Sequence, residues 1–274
     1  MFVFTPNAGM LIYRTLQKKY KKRYVLDIRD FWMEDKRWFL KIEETLIRNS
    51  FCTAISSEAY KRFLPKHEYI LTHNTQNLDN GDIEHFRNRT KSNKKPIVLA
   101  CVGGIKHIEY DKRVIDYFAN DTRFELRYIG RGYDALEGYC KQKRILNVYC
   151  EGEFPMAQTL GKYEGADLIL NMYGNHDKYL DYALSNKLYF AAQLGIPIVV
   201  CPDTYMSEVC EKNEFGIAVD INREQDKDKL VAFYDSLNIS ELIRSCDIFL
   251  EQVNKDEEKF INSISAFVNK QLKV

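Results

Sequence analysis

The sequence predicts an α/β protein of two doubly wound, Rossmann-like domains that face a cleft, followed by a helical C-terminus. Short apolar runs typical of buried strands alternate with amphipathic helical patterns over most of the chain, and this alternation favours parallel sheets. The 274 residues suffice for two domains, and a 45% hydrophobic composition allows a sizeable core. We therefore expect ligands at the carboxyl ends of the strands, where open parallel sheets bind them.

The first predicted domain, residues 1–93, contains strand candidates separated by helical patterns. The helical spacing turns Leu11 and Trp38 toward the core. The polar stretch at 85–95 is typical of a linker. The strands are predicted at 2–4, 24–28, 51–55 and 69–72, and the helices at 8–20, 35–48 and 57–64, the last capped by Ser56.

The second predicted domain, residues 94–224, repeats the alternation of strands and helices. Residues 225–274 follow as helices without strands, and the last helix is expected to pack back toward the first domain. The strands are predicted at 97–102, 124–129, 147–150, 167–172, 198–201 and 217–219, and the C-terminal helices at 225–237, 240–253 and 256–272.

The most informative local pattern lies in residues 181–201, where Ser185 is a preferred helix N-cap and Gly195 ends the helix before a buried strand. Lys187 stands in the first helical turn, where a cation opposes the helix dipole at a cost of about 0.3–1 kcal/mol. A bound anion would make this lysine favourable, because free backbone N–H groups point outward at a helix start. The pattern predicts a phosphate-bearing ligand, with a solvated lysine as the alternative.

Composition and charge exclude several classes of protein. The net charge is +1 and aromatic residues are not interleaved with a basic patch, so we expect no nucleic-acid partner. The five histidines lack metal-binding spacing and none of the seven cysteines forms a C-x-x-C pair, so we expect no metal site and a reducing compartment. No apolar run reaches membrane-spanning length and no signal-peptide pattern is present, which predicts a cytoplasmic location.

The segment LQKKYKKRY, residues 16–24, concentrates lysine and arginine. Such a segment is compatible with a peripheral contact at the inner face of a membrane, since each exposed cation near anionic lipid contributes about 1 kcal/mol. The alternative is a solvated helix end, where lysines interact favourably with the C-terminal dipole. Both interpretations stay open at this point.

Eight segments resemble, in their order and spacing, the GT-B glycosyltransferases of the retaining class, which include many capsule and surface-polysaccharide sugar transferases. The resemblance is loose over residues 24–220 and close over 97–220. The segments are VLDIRDFW (25–32), TAISSEAYKRFL (53–64), ACVGGIKHIEYDKRVIDYF (100–118), FELRYIGRG (124–132), VYCEGEF (148–154), YEGADLILNMY (163–173), LSNKLYFAAQLGIPIVV (184–200) and TYMSEVCEKNEFGIAV (204–219).

In such enzymes the C-terminal domain holds a nucleotide-diphosphate sugar and the N-terminal domain holds the acceptor. The resemblance implies that Lys106 and Lys187 are catalytic, because they would stabilise the departing nucleoside diphosphate. No metal or other cofactor is expected, since these lysines and the helix dipole supply the positive charge. The donor-binding residues that it implies lie on loops after strands or at a helix start: Gly103, Gly104, Lys106, Gly152, Phe154, Ser185, Asn186, Lys187 and Leu188.

Two further site residues are predicted from their positions. Tyr173 lies on the loop that leads to the Lys187 helix and is placed to meet the donor sugar, although an ordinary polar loop explains it equally well. Asp30 follows a strand at its carboxyl end and is predicted to accept a hydrogen bond from the acceptor hydroxyl. Its alternative role is a helix cap paired with Arg29.

The sequence departs from the family in two places. Tyr182 and Phe190 stand where many relatives carry two glutamates, the second of which binds the donor ribose. The first domain also has fewer strand candidates than a complete acceptor domain. It resembles a shortened domain whose open sheet edge needs to be covered by a partner chain or by self-association.

Three functional hypotheses follow. The first is a glycosyltransferase that transfers a sugar from a nucleotide-diphosphate donor, most simply a UDP-sugar, to a saccharide or lipid-linked saccharide in surface polysaccharide biosynthesis. The second is a non-catalytic glycosyltransferase-like subunit that acts with a partner chain. The third hypothesis is a sugar-nucleotide epimerase. It is the weakest, because the histidines and carboxylates form no evident pair for proton abstraction.

Overall fold

The predicted α/β class is confirmed, because every strand pair in the computed structural model is parallel and the strands form two sheets. The structure describes residues 1–91 and 96–272. The chain divides into two compact units. Unit 1 comprises residues 1–74, 181–184 and 250 onward, and unit 2 comprises residues 75–180 and 185–249.

Unit 1 is built on a parallel sheet whose strands follow one another in chain order. Its elements before residue 74 are β1 (Phe2–Phe4), α1 (Pro6–Leu11), α2 (Tyr13–Lys19), β2 (Val25–Ile28), α3 (Arg37–Asn49), β3 (Cys52–Ile55), a 3-10 turn (Glu58–Arg62) and β4 (Ile70–Leu71). The sheet and α3 share one apolar core. Within it, the buried hydroxyl of Tyr24 donates to the carbonyl of Leu46 at 2.5 Å.

The helix predicted over residues 8–20 is two helices that meet at Ile12. Ile12, with φ −107° and ψ 18°, departs from helical geometry and separates α1 from α2. The apolar face predicted from one continuous helix is therefore wrong at Leu11, whose side chain is 84% exposed.

The inward face predicted for the next helix is wrong at Trp38, which is 51% exposed. Phe39 and Glu43 form the buried side of α3 together with Leu46 and Ile47. Helical spacing predicts Phe39, Leu46 and Ile47 on this face correctly, but it does not indicate Glu43, because an acidic residue interrupts the apolar pattern.

The short helix predicted over residues 57–64 is a 3-10 turn, and its N-cap is Ser57 without a side-chain capping bond. The expected cap, Ser56, instead donates through its hydroxyl to the carbonyl of Arg29 at 3.0 Å. This bond joins the ends of two neighbouring strands, so the tertiary partner has displaced the local one.

Unit 2 contains a larger parallel sheet with helices between its strands. The elements from residue 75 to 238 are α4 (Asn80–Arg87), β5 (Ile97–Val102), α5 (Ile108–Phe118), β6 (Phe124–Ile129), α6 (Asp134–Lys143), β7 (Val148–Glu151), β8 (Leu168–Asn171), α7 (Lys178–Asp181), α8 (Asn186–Leu194), β9 (Ile198–Val200), α9 (Tyr205–Lys212), β10 (Gly216–Ala218) and α10 (Asp226–Ser236). The strand order is β10-β9-β8-β5-β6-β7.

The stretch predicted as a linker, residues 85–95, begins inside α4, and residues 92–95 lie outside the described part of the chain. Arg87, in the last turn of α4, donates to the carbonyls of Ala192 and Gln193, both at 3.0 Å. These bonds hold α4 against α8. Unit 2 begins at residue 75 and so includes α4, whereas the sequence analysis placed the domain boundary at 93/94.

The C-terminal segment contains one continuous helix, α11 (Ile239–Leu272), where two were predicted. Across the expected break, the Gln252 amide donates to the carboxylate of Asp256 at 3.1 Å, one helical turn further on. The helix begins in unit 2 and ends in unit 1, so the division at 224/225 also differs from the units observed. Near its end, Phe267 packs edge-on against Phe2 at 5.8 Å between ring centroids. None of the described helices has both the length and the apolar character needed to cross a bilayer.

Candidate functional site

The sheet of unit 2 has one topological switch point, between β5 and β8. From β5 the chain proceeds through β6 and β7 on one side of the sheet, and β8, β9 and β10 then fill the other side. Neighbouring loops that leave in opposite directions open a crevice at the carboxyl ends of the strands, where doubly wound proteins bind ligands. The loop after β5 carries Gly103, Gly104 and Lys106, and the loop after β8 carries Tyr173.

The glycine loop after β5 is held tightly by the loop after β6. The backbone N–H of Gly103 donates to the carbonyl of Ile129 at 2.9 Å, and that of Ile105 donates to the carbonyl of Arg131 at 3.0 Å. A Cβ atom on Gly130 would lie 1.8 Å from the carbonyl oxygen of Gly103. This contact leaves no room for a side chain at residue 130, so the two loops form one rigid floor.

Lys187 is buried rather than solvated, with only 6% of its surface exposed. The predicted cap is present, because the Ser185 hydroxyl accepts from the backbone N–H of Lys187 at 3.2 Å. The ammonium donates to the hydroxyl of Tyr173 and lies 3.6 Å from where a Cβ of Gly103 would stand. Burial lowers the pKa of Lys187, but the side chains of Tyr173, Cys101 and Tyr163 raise it by more, and the pKa lies above its ordinary value. Lys187 is therefore charged at neutral pH.

Lys106 approaches the same tyrosine from the glycine loop. Its ammonium lies 5.5 Å from the centroid of the Tyr173 ring, and that of Lys187 lies 4.9 Å from it. Within residues 1–91 and 96–272, neither lysine forms an ion pair. Two cations that converge, neither of them in a direct ion pair, make a site that favours an anion.

The backbone amides at the start of α8 are less available than the sequence predicted. The N–H of Lys187 donates to Ser185, and the N–H of Leu188 donates to the Ser185 carbonyl at 3.0 Å. The Leu188 side chain lies entirely in the core, whereas Asn186 is exposed. The ammonium of Lys187 is one group at this helix start that an anion can bind, and the roles of Ser185, Asn186 and Leu188 in donor binding stay predictions.

Gly152 and Phe154 lie on the same edge of the sheet, after β7 and two strands away from β5. A Cβ on Gly152 would meet the side chain of Asp134 at 3.7 Å. The ammonium of Lys162 lies 5.5 Å from the centroid of the Phe154 ring and pairs with Glu151. The structure thus supplies an aromatic surface at this end of the edge, and its contact with the nucleotide base stays a prediction.

Asp30 lies in unit 1, in the segment after β2, whereas both lysines lie in unit 2. Its neighbour Arg29 pairs with Asp27 at 2.9 Å and donates to Asn74 at 2.8 Å. Arg29 therefore joins β2 to the segment after β4. The role of Asp30 toward an acceptor stays a prediction.

Two residues of the site in unit 2 were missed by the sequence analysis. Arg131 is exposed in the loop after β6, with its guanidinium 3.8 Å from where a Cβ of Gly104 would stand. Asp111 is 2% exposed on α5, and its Oδ2 has no hydrogen-bond partner among the described residues. A signal existed for each: Arg131 follows a strand at the ligand-binding edge, and Asp111 interrupts the apolar stripe of α5.

Solved structures share this fold. Sucrose-phosphate synthase from Thermosynechococcus elongatus is similar with a TM-score of 0.67 and 12% identity, over 97% of this chain and 73% of that protein. HepE of Anabaena in complex with UDP-glucose has a TM-score of 0.67 and 13% identity, over 97% and 78%. WaaG, a glycosyltransferase involved in lipopolysaccharide biosynthesis, has a TM-score of 0.53 and 10% identity, over 90% and 77%. Identities this low show a common fold only, and they confirm the predicted Rossmann-like, GT-B type of fold.

No protein-family model matches the sequence, and a comparison with curated proteins found no match. Among the residues that the structure describes, no group of three or more histidine, cysteine, aspartate or glutamate side chains is arranged to hold a metal ion.

Proposed function

We propose that this chain carries the donor site of a glycosyltransferase that uses a nucleotide-diphosphate sugar. The observation that supports this function is the convergence of Lys106 and Lys187 on Tyr173 at the switch point of the larger sheet. A diphosphate matches this site, because it is a compact anion of at least two charges. UDP-sugars are the first donors to test, since a structure of similar fold, HepE, contains UDP-glucose.

In this proposal the two lysines act when the bond between the sugar and the diphosphate breaks. Negative charge then grows on the leaving phosphate oxygen, and a fixed cation stabilises it most at that stage. Lys187 is held by Tyr173 and by burial, so little reorganisation is needed. Lys106 is exposed on the loop after β5, where a diphosphate can reach it. The reaction proposed here requires no metal ion.

The acceptor side of the proposal rests on the family resemblance. Asp30 would orient the hydroxyl of a saccharide or lipid-linked saccharide, with retention of configuration, in the assembly of a surface polysaccharide. The cations of residues 16–24 are exposed, and Lys18 and Lys19 form the last turn of α2. That position suits a solvated helix end as well as a contact with anionic lipid at the cytoplasmic face of a membrane.

Calorimetric titration with UDP, GDP, ADP and CMP, without added metal, tests the donor site. We expect one nucleotide to bind with a dissociation constant in the micromolar range, about −8 kcal/mol. Lys187→Met, which keeps the size of the side chain and removes its charge, should weaken that binding by about 100-fold or more, because a charge-assisted contact is lost.

Lys141→Met is the matched control, since Lys141 is an exposed lysine of α6 that pairs with Glu137 in the same unit. Its affinity should equal that of the wild type. Unchanged affinity in Lys187→Met would remove Lys187 from the site and with it the main support for this function.

The alternative function, a non-catalytic subunit, is favoured by the residues that replace the two family glutamates. Phe190 packs on Tyr163 with ring centroids 5.7 Å apart, and Tyr182 packs on Phe63 at 5.3 Å. Both positions are thus occupied by aromatic side chains that serve packing and offer no carboxylate to a ribose. If none of the four nucleotides binds, this alternative replaces the donor-site proposal, and a search for a partner chain at β1, the edge strand of unit 1, follows.

A further inference from the structure

A cluster of buried polar side chains lies beneath the glycine loop. We call it the Asp111 cluster; none of its members is more than 6% exposed, and they come from five different elements or turns of unit 2. The members are Cys101 on β5, Asp111 on α5, Tyr128 on β6, Tyr133 in the turn before α6, and Lys187 on α8.

Two members of the cluster form a hydrogen bond with each other, and two others have a polar atom without a partner among the described residues. The thiol of Cys101 and the hydroxyl of Tyr133 are hydrogen-bonded at 3.2 Å. The Oδ2 atom of Asp111 and the hydroxyl of Tyr128 have no hydrogen-bond partner among the described residues. Since an unpaired buried carboxylate is costly, the ionised state of Asp111 depends on Lys187, the cation of the cluster.

The other charged groups of α5 are paired away from the cluster. Glu109 pairs with Lys112 at 2.7 Å, and Asp116 pairs with Lys143 at 2.6 Å. From the facing elements, Cys101, Tyr128 and Tyr133 interact with Asp111 as neutral groups, and burial raises the pKa of each. Lys187 is therefore the group that balances the charge of Asp111.

We propose that Asp111 takes up a proton from solvent when a nucleotide diphosphate binds beside Lys187, so that donor binding and protonation of this carboxyl group are coupled. The inference rests on the donor site proposed above. A bound diphosphate would engage the charge of Lys187 and add negative charge close to Asp111. Both changes disfavour the carboxylate and favour the neutral acid.

In the protein without a bound nucleotide, the carboxyl group of Asp111 can take up a proton near neutral pH. Burial raises the pKa of Asp111 to about 7, although Lys187 opposes the rise. Near neutral pH a substantial fraction of the free protein then carries an ionised Asp111. Asp111 does not reach the ligand in this scheme; it is a positioning residue that acts through Lys187.

Titration calorimetry of the full chain with UDP-glucose in phosphate and in Tris buffer measures the coupling. UDP-glucose is chosen because its diphosphate has no ionisation near neutral pH, and GDP-mannose and ADP-glucose serve if another base is preferred. The dependence of the enthalpy on the buffer reports the protons taken up. We expect about half a proton at pH 7 and more at pH 8, with affinity falling by up to about tenfold over that interval.

Three variants test which residue takes up the proton. Asp111→Asn should abolish the uptake and flatten the pH dependence of the affinity. Two control variants should retain both the proton uptake and the pH dependence of the affinity. They are Asp116→Asn, on the same helix, and His107→Gln, which replaces an exposed histidine next to Lys106 in the sequence. Uptake that persists in Asp111→Asn, or that disappears in His107→Gln, overturns the proposal.

The wild-type measurement is decisive even if Asp111→Asn does not fold. A nucleotide sugar that binds the wild type without proton uptake overturns this inference and leaves the donor site intact. If no nucleotide sugar binds, the proposed function fails, and this inference fails with it.

Discussion

In each unit one helix turns an acidic residue into the core among apolar neighbours: Glu43 on α3 in unit 1, and Asp111 on α5 in unit 2. Glu43 is fully buried, neither of its carboxyl oxygens has a partner among the described residues, and the charged group that acts on it is a second acid, Glu34. Burial raises the pKa of Glu43 to about 8. At Asp111 burial raises the pKa to about 7, and the charge of Lys187 opposes this rise.

Burial is the main cause of the raised pKa in both acids, and they differ in the charge that acts on them: a cation at Asp111 and a second acid at Glu43. Beside a cation, the carboxyl group of Asp111 ionises within the physiological range and responds to a ligand of that cation. Beside another acid, Glu43 stays protonated at neutral pH, and its ionisation works against the folded state of unit 1.

The carboxyl edges of the two sheets differ as well. In unit 2, β5 and β6 are each followed by a glycine with positive φ, Gly103 at 136° and Gly130 at 135°. In unit 1 the corresponding edge is made of side chains that bond to backbone, such as Ser56 on the carbonyl of Arg29. An edge of bare backbone admits a phosphate closely, whereas an edge of side chains offers hydroxyl and carboxylate groups to a sugar.

At neutral pH the largest effect is expected from Gly130→Ala, which places a side chain between the loops that follow β5 and β6. The new Cβ would stand 1.8 Å from a backbone oxygen, in a loop that cannot move without separating β5 from β6. We expect the free energy of unfolding to fall by about 4 kcal/mol, because backbone strain adds to the steric clash. Chemical denaturation followed by circular dichroism measures this loss.

Gly138→Ala is the matched control for that variant. Gly138 lies inside α6, and a Cβ there would meet no atom within 4 Å. We expect this variant to be more stable than the wild type by up to about 1 kcal/mol, because alanine favours the helix. A loss of stability similar in both variants would mean that the two loops do not form a rigid floor.

Glu43→Gln tests the unpaired acid of unit 1. Because the pKa of Glu43 in the folded state, about 8, lies above its ordinary value of 4.5, its favourable contribution is complete below pH 4.5 and is lost as pH rises toward 8. The wild type should therefore lose about 5 kcal/mol of unfolding free energy over this range, and the glutamine variant should not. Urea denaturation at several pH values gives both curves.

The control for Glu43→Gln is Glu44→Gln, since Glu44 is the next residue of α3 and pairs at the surface with Arg48. Its stability should change by less than about 0.5 kcal/mol and should follow the pH dependence of the wild type. If Glu43→Gln shows the same slope with pH as the wild type, the contrast between Glu43 and Asp111 disappears.

The smallest effect is expected from Arg131→Ala, which tests whether the loop after β6 contributes to diphosphate binding. The exposed guanidinium beside Gly104 should add modestly to diphosphate binding, so the affinity for UDP should fall by about fivefold, or about 1 kcal/mol. The affinity for uridine, which lacks phosphate, should not change. Equal losses for UDP and uridine would exclude a contact between Arg131 and the diphosphate.

Much of unit 2 was predictable from local patterns. Its strands are continuous apolar runs because both faces of the sheet are covered, and such runs are easily recognised. The cap at Ser185 was found because it depends on residues within one helical turn. The same locality explains why Gly103 and Lys106 were placed correctly at the end of a strand, although their roles stay predictions.

Predictions failed where no residue type in the local sequence announced the outcome. The exposure of Leu11 follows from a break at Ile12 that no glycine or proline announces. The separation of residues 240–253 from 256–272 was wrong because side chains bridge the turn between them. The place of α4 in unit 2 could not be predicted either, since Arg87 bonds to carbonyls more than a hundred residues away in sequence.

By itself the sequence determined the α/β alternation, the parallel sheets and the residues that stand at strand ends, because these depend on periodicity and on turn chemistry over a few residues. Only the tertiary structure decided the order of strands, and with it the switch point that brings Lys106 and Tyr173 together. It also decided that Asp111 has a cation beside it, because a charge in an apolar stripe reveals its partner only once distant elements have packed.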